Sequence, residues 1–163
     1  MSAESMYKSL ALIFFLAFVW APFGNAEGLL DGKTFSGMIG PAENPDLPDN
    51  LYFDDGHFWS QICTRCGFVP GVYQAEETAE GVRFTGTLES ESRGRFDYVG
   101  VLKDDGSVVV SVVWERRRWY WTSTREIMFV GALSEPVLTV SLSKTRQDMQ
   151  TIDPDGNPLC ARF

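Results

Sequence analysis

Cys63-Thr64-Arg65-Cys66 is the stretch whose residue types and spacing come nearest to a reactive motif. In a thiol oxidoreductase, Cys-x-x-Cys opens a helix after a strand, and the helix N-terminus lowers the pKa of the first thiol. Arg65 would favour a thiolate further. Here His57 to Ile62 reads as a preceding strand, but Gly67, Pro70 and Gly71 follow. They predict a turn-rich connection over Thr64 to Gly71 and no helix. Cys160 brings the cysteines to three, so one thiol stays free or pairs outside the chain. The expectation is a structural disulfide joining Cys160 to Cys63 or Cys66, which would close a loop of about a hundred residues and contribute on the order of 2–4 kcal/mol.

His57 is the single histidine, so any Ser-His or Cys-His arrangement has one candidate base. It directly follows Asp54-Asp55-Gly56, a turn signal, and is expected to be solvated or to cap a hairpin. A zinc site would need all three cysteines and His57 together, which their spacing does not suggest. Asp54-Asp55-Gly56, Asp104-Asp105-Gly106 and Asp153-Pro154-Asp155-Gly156 read as turns, since none is followed by a liganding Glu at calcium-loop distance. No catalytic residue, metal or cofactor is assigned.

Arg116-Arg117-Arg118-Trp119-Tyr120-Trp121 is unusual in a chain of net charge −8. If the strand from Val108 continues, Arg116, Arg118 and Tyr120 share the face of Val112 and Trp114. Arg95 and Asp97 are expected on the matching face of the partner strand. Read as a site, this is a cationic mouth over an apolar interior. A guanidinium fork pairs a carboxylate or phosphate in two hydrogen bonds, while Trp114 and the valines accept an apolar body. The plainer reading is a strand end whose arginines pair with Asp97, Glu89 and other surface acids. Base stacking on the rings is disfavoured, because an acidic chain is repelled by phosphate backbones and by anionic lipid.

The N-terminus supplies the compartment. Lys8 precedes an apolar run from Leu10 to Ala21, Pro22 breaks it, and Gly24-Asn25-Ala26 offers small residues to a signal peptidase. The run is shorter than the ~20 residues a spanning helix needs. Residues 1–26 are read as a signal peptide and 27–163 as one exported domain, secreted or periplasmic. No stable membrane anchor remains after cleavage, and an oxidising compartment suits the disulfide.

The elements that must position these residues are short strands. Phe35 to Ile39 comes first, and Pro41 to Asn50 reads as a loop. Leu51 to Phe53 and His57 to Ile62 flank Asp54-Asp55-Gly56. Val72 to Glu77 and Val82 to Ser90 follow, with Val82, Phe84, Gly86 and Leu88 on one face. The strongest hairpin is Phe96 to Lys103 and Val108 to Glu115, with Asp105-Gly106 suited to a type I′ turn. On this reading Val99, Val101, Val108, Val110, Val112 and Trp114 line one face. Phe96, Tyr98, Leu102, Val109 and Val113 line the other. Such a hairpin is either central to a sandwich or has its outer face under a tail or partner. Glu126 to Leu133 and Val137 to Lys144 complete the set, with a polar tail from about Thr145. Nothing after the signal shows a sustained helical period. Eight or nine strands joined by tight turns point to an all-β, antiparallel, up-and-down barrel, with a β-sandwich as the alternative. Gly37, Gly86, Gly100 and Gly131 fall inside strands, where small barrels bend.

Three patches carry a resemblance: Gly32-Lys33-Thr34-Phe35-Ser36-Gly37, Asp55-Gly56-His57-Phe58-Trp59-Ser60-Gln61-Ile62-Cys63, and Gly67-Phe68. They resemble small secreted bacterial proteins of unassigned function with a lipocalin-like look, which implies a β-barrel and no reaction. Gly32-Lys33-Thr34 stands where true lipocalins carry Gly-x-Trp. The expectation is an exported, non-catalytic barrel that binds a small amphipathic, anionic ligand through Arg116, Arg118, Tyr120 and Trp114. The alternatives are an interaction protein, such as an inhibitor of a secreted enzyme, and a Cys-x-x-Cys redox protein. Nucleic acid is not expected as a partner.

Overall fold

The computed structural model describes residues 28–135 and 140–162. The segment read as a signal peptide lies outside them. Eight antiparallel strands run in chain order: β1 (Thr34–Gly40), β2 (Leu47–Asp54), β3 (His57–Ser60), β4 (Gly71–Thr78), β5 (Gly81–Ser90), β6 (Gly94–Leu102), β7 (Ser107–Arg118) and β8 (Trp121–Leu133). Each pairs with the next, and β1 pairs with β8 from Phe35↔Leu133 to Gly40↔Met128, so the sheet closes into an up-and-down barrel. Closure gives every strand a neighbour on both sides.

Period-two alternation builds the interior. Phe84 and Leu88 of β5 point inward, as do Val108, Val110, Val112 and Trp114 of β7. Aromatic rings fill the lumen. Phe53 is their hub, with ring centroids at 5.0 Å to Phe35, 5.0 Å to Tyr73 and 5.3 Å to Phe84. The strand glycines make room for rings: a Cβ on Gly86 would run into Phe58, and one on Gly100 into Phe84. Close approach of side chains, rather than bending alone, is what requires glycine at these two positions.

The β6–β7 hairpin departs from the expected register by one residue. Tyr98 pairs with Val112 and Phe96 with Trp114, because Lys103 pairs back to Ser107 around the intervening turn. Only Gly106 of that turn has positive φ (82°); Asp105 does not, so this is not a type I′ turn. A one-residue slip flips a whole strand face. Phe96, Tyr98 and Leu102 therefore join the valines of β7 inside, while Val99, Val109 and Val113 face out, as do Arg95 and Asp97. The two-residue type I′ turn occurs instead between β2 and β3, where Asp55 (φ 50°) and Gly56 (φ 68°) are both left-handed.

Two helices also correct the all-strand reading. α1 (Gln61–Arg65) runs through the Cys-x-x-Cys motif, and α2 (Leu142–Met149) takes the place of the end of the expected Val137–Lys144 strand. Residues 136–139 lie outside the described set. α2 is capped by Ser141, and its Leu142 amide donates to Asp54 at 2.8 Å. Its Leu142 and Thr145 are buried, and Thr145 lies beside Tyr52 and Trp59 on the outer side of β2–β3, where those two rings stack at 5.7 Å. The tail thus covers β2–β3. The outward valines of β6, β7 and β8 stay exposed, Val99 by 42% and Val130 by 43%.

The two barrel ends differ. One is sealed by the β2–β3, β4–β5 and β6–β7 turns and by Leu30, which is fully buried. Asp31 ties this end together, accepting from the Gly28 amide (2.8 Å), the Gly56 amide (3.1 Å) and the Tyr73 hydroxyl (2.8 Å). The other end, the mouth, carries α1, the β7–β8 turn and a C-terminal 3₁₀ turn (Pro158–Arg162).

Candidate binding site at the barrel mouth

The mouth is organised by α1. Ser60 is its N-cap, accepting from the Cys63 amide at 3.0 Å. Asp49, on β2, accepts from the Ser60 hydroxyl at 2.6 Å and from the Ile62 amide at 3.0 Å. These acceptors satisfy the orphan donors of the first turn. Gly67 (φ 83°) ends the helix. The glycine read as forbidding a helix therefore marks where a single turn stops.

The motif is divided. Cys66 forms the disulfide with Cys160, across 94 residues of sequence, and so fastens the tail over the mouth. Cys63 is buried, 3.4 Å from the Tyr98 hydroxyl. Burial, with the Asp49 charge behind it, pushes the Cys63 thiol up to about 12. Burial also raises Tyr98 well above its ordinary range and lifts Asp49 to about 6. Arg93 holds the tail from the other side, donating to the Cys160 carbonyl at 2.7 Å and pairing with Asp155 at 2.6 Å.

Between the ends of β1, β2 and β8 and the inner side of α1 lies a cavity of about 170 Å³. Ile39, Leu47, Ile62, Phe96, Ile127 and Cys63 line it, with Arg125, Glu126 and Arg162 at the rim. Arg125 donates to the Arg162 carbonyl at 3.1 Å, and its guanidinium lies 5.5 Å from the Trp114 ring.

The sequence-predicted binding residues divide between the barrel interior and a projection beyond the mouth. Trp114 is buried inside the barrel, 6% exposed, its indole donating to the Arg93 carbonyl at 2.9 Å. β6 reaches only to Arg95↔Glu115 and β1 only to Gly40↔Met128, yet β7 and β8 continue pairing to Arg118↔Trp121. Arg116, Arg118 and Tyr120 therefore sit on a two-stranded ribbon standing out from the mouth. Arg116 borders a shallow polar groove of about 790 Å³ that also takes in Arg93, Arg95, Glu89 and Glu115. Arg118 and Tyr120 line neither space. The arginines of the run do not take the acids expected for them: Asp97 is held by Arg95 at 2.6 Å, and Arg117 reaches Glu115 only at 3.7 Å. Among the described residues, Arg116 and Arg118 pair with no carboxylate.

Sequence reasoning missed Arg125 and the apolar lining from β1, β2 and α1. The signal for Arg125 was present in principle. It stands opposite Trp114 once the hairpin is centred on Trp119-Tyr120. His57 lies at the sealed end, its Nδ1 2.7 Å from the Asp55 carbonyl and its Nε2 3.4 Å from Arg146. Among the described residues, no cluster of histidine, cysteine or carboxylate is placed to hold a metal ion. The chain matches no family model, no curated protein and no solved structure.

Proposed function

We propose that this is an exported, non-catalytic barrel that binds the apolar end of a small amphipathic anion in the mouth cavity. The observation that carries this reading is an apolar hollow with a guanidinium, Arg125, at its rim. A cavity near 150 Å³ lined by aliphatic and aromatic groups accepts a ring the size of benzene. The 170 Å³ here suits a ring or a short alkyl group, not a long acyl chain. Arg125 pairs the anionic head, and Arg116 and Arg118 add to the local positive potential without touching the ligand. The test is calorimetric titration with short-chain and aromatic carboxylates beside the matching alcohols. Arg125→Glu should weaken the acids about tenfold and spare the alcohols, and Ile127→Trp, which fills the hollow, should abolish both. Unchanged affinity in Ile127→Trp would refute the site.

A second reading, an interaction protein, is favoured by the ring-filled lumen and the projecting ribbon. The redox reading is the weakest, because Cys66 is engaged with Cys160 and burial keeps Cys63 protonated.

A further inference from the structure

We propose that the β7–β8 ribbon docks on the surface of an anionic lipid bilayer, which it meets with Trp119, Tyr120 and Trp121. This inference is independent of any ligand in the mouth cavity.

The tip is the most exposed apolar feature among the described residues. Trp119 is 94% exposed, Tyr120 64% and Trp121 53%. Trp and Tyr favour the headgroup layer of a bilayer, where the ring meets acyl chain and the N–H or O–H meets water. The rings are presented ready-made. Pairing continues to Arg118↔Trp121, so the ribbon is ordered up to the tip, and Tyr120 stacks on Trp121 at 6.1 Å. The four residues from Arg116 to Trp119, at about 3.3 Å of rise each, carry the tip roughly 13 Å past the last pairing with β6. That is long enough for the rings to reach the ~5–10 Å to which interfacial elements sink while the barrel stays in water.

Charge supplies the choice of surface. From Arg116 to Arg125 the chain holds four arginines and no acidic residue, with Thr122, Ser123 and Thr124 between them. Glu115 and Glu126 appear where the ribbon meets the barrel, which would set the depth of contact. The whole chain is at −8, and that net charge argues against anionic lipid only if the protein acts as one sphere. Screening over about 8 Å at physiological ionic strength means the collar meets the headgroups before the acidic body does. The same asymmetry would repel other orientations, leaving the ribbon pointing down. A carbohydrate is a poorer fit. The tip is convex, and between residues 116 and 125 it offers no carboxylate or amide side chain to pair sugar hydroxyls.

The experiment is sedimentation of the protein, purified after export, with vesicles of phosphatidylcholine alone and with phosphatidylglycerol added. Emission of the two exposed tryptophans is followed in parallel. Binding should require the anionic lipid, weaken as salt is raised, and shift the emission to the blue; brominated acyl chains should quench it. Arg116→Gln with Arg118→Gln should weaken binding about 25-fold, near fivefold for each arginine. Trp119→Ser with Trp121→Ser should abolish it. Both variants should keep the parent's circular dichroism and melting point, so a loss cannot be attributed to unfolding. Absence of binding at millimolar anionic lipid would overturn the proposal. So would arginine or tryptophan variants that bind like the parent, or a tip that captures a protein partner while vesicles stay inert.

Discussion

At the sealed end, Leu30, Asp31 and Tyr73 close the barrel with a buried leucine and hydrogen bonds to one carboxylate. At the mouth, a single helical turn covers an apolar hollow and holds Asp49 and Cys63 away from water. A disulfide ties the tail across it, Arg125 stands at its rim, and Arg116, Arg117 and Arg118 gather on a projecting ribbon. The first end consists of features that lower the free energy of the fold. The second accumulates features that do not: a carboxylate in a desolvated place, an incompletely filled cavity, and exposed rings. Such features cost stability, and they concentrate where the chain meets other molecules.

The comparison breaks most visibly in the ring cluster. Phe53→Ala removes the hub shared by Phe35, Tyr73 and Phe84, and should cost about 3–5 kcal/mol in denaturant unfolding. A cost under about 1 kcal/mol would mean that the lumen collapses around the gap and is not rigidly packed.

Next in size is the tail. Cys66→Ala with Cys160→Ala should lower stability by on the order of 2–4 kcal/mol, since the bridge closes a 94-residue separation. Hydrogen exchange sharpens the contrast. The Ile62 and Cys63 amides at the mouth should lose protection before Tyr73 and Phe84 do. Uniform loss across the barrel would show that the ends are not separate cooperative units.

The third effect depends on pH. Asp49 titrates near 6 in the fold against an ordinary 3.8, because burial disfavours its charge. The folded state therefore holds that proton more tightly. Its contribution is fully present below pH ~4 and is lost as pH rises through about 6, a difference on the order of 2–3 kcal/mol. Asp49→Asn keeps Oδ1 as the acceptor for the Ile62 amide, turns its Nδ2 to donate to the Ser60 hydroxyl, and has no charge to bury. Stability of the variant should be flat across this window and exceed that of the parent at neutral pH. Parallel curves for the two proteins would show that Asp49 does not titrate there.

The smallest expected effect is at the ribbon tip. Trp119→Ser or Arg118→Gln should change stability by less than about 0.5 kcal/mol, because both side chains lie outside the packed barrel. A larger loss by thermal melting would make the ribbon a structural member and remove the contrast between the ends.

Much of the fold was legible because its signals are local. Alternation in Phe84 and Leu88, and in Val108, Val110 and Val112, marked strands and an inward face. Short turns between them implied a meander, and three cysteines in a chain read as exported implied one intramolecular bridge to Cys160. Less of the site was legible. Parity put Trp114 on the inward face with Val112, but the same parity could not say that the barrel stops near Glu115 while β7 runs on, since that depends on where β6 and β1 end.

The sequence by itself determined the periods, the turns and the residue types: an all-β chain, acidic overall, with an arginine-aromatic run. Tertiary structure alone decided the remainder. Which cysteine joins Cys160 depended on which side of a helical turn faces the tail. The inner face of β6 depended on one extra residue in the turn before β7. Leu142 to Lys144 became helical because Asp54 receives the Leu142 amide and the Leu142 side chain is buried. The disulfide and the Leu142–Asp54 hydrogen bond are contacts between residues far apart in the chain, and the turn is settled by how the strands it joins pack. A local pattern carries the hydrogen-bonding and hydrophobic needs of a segment, but not the identity of the partner that satisfies them.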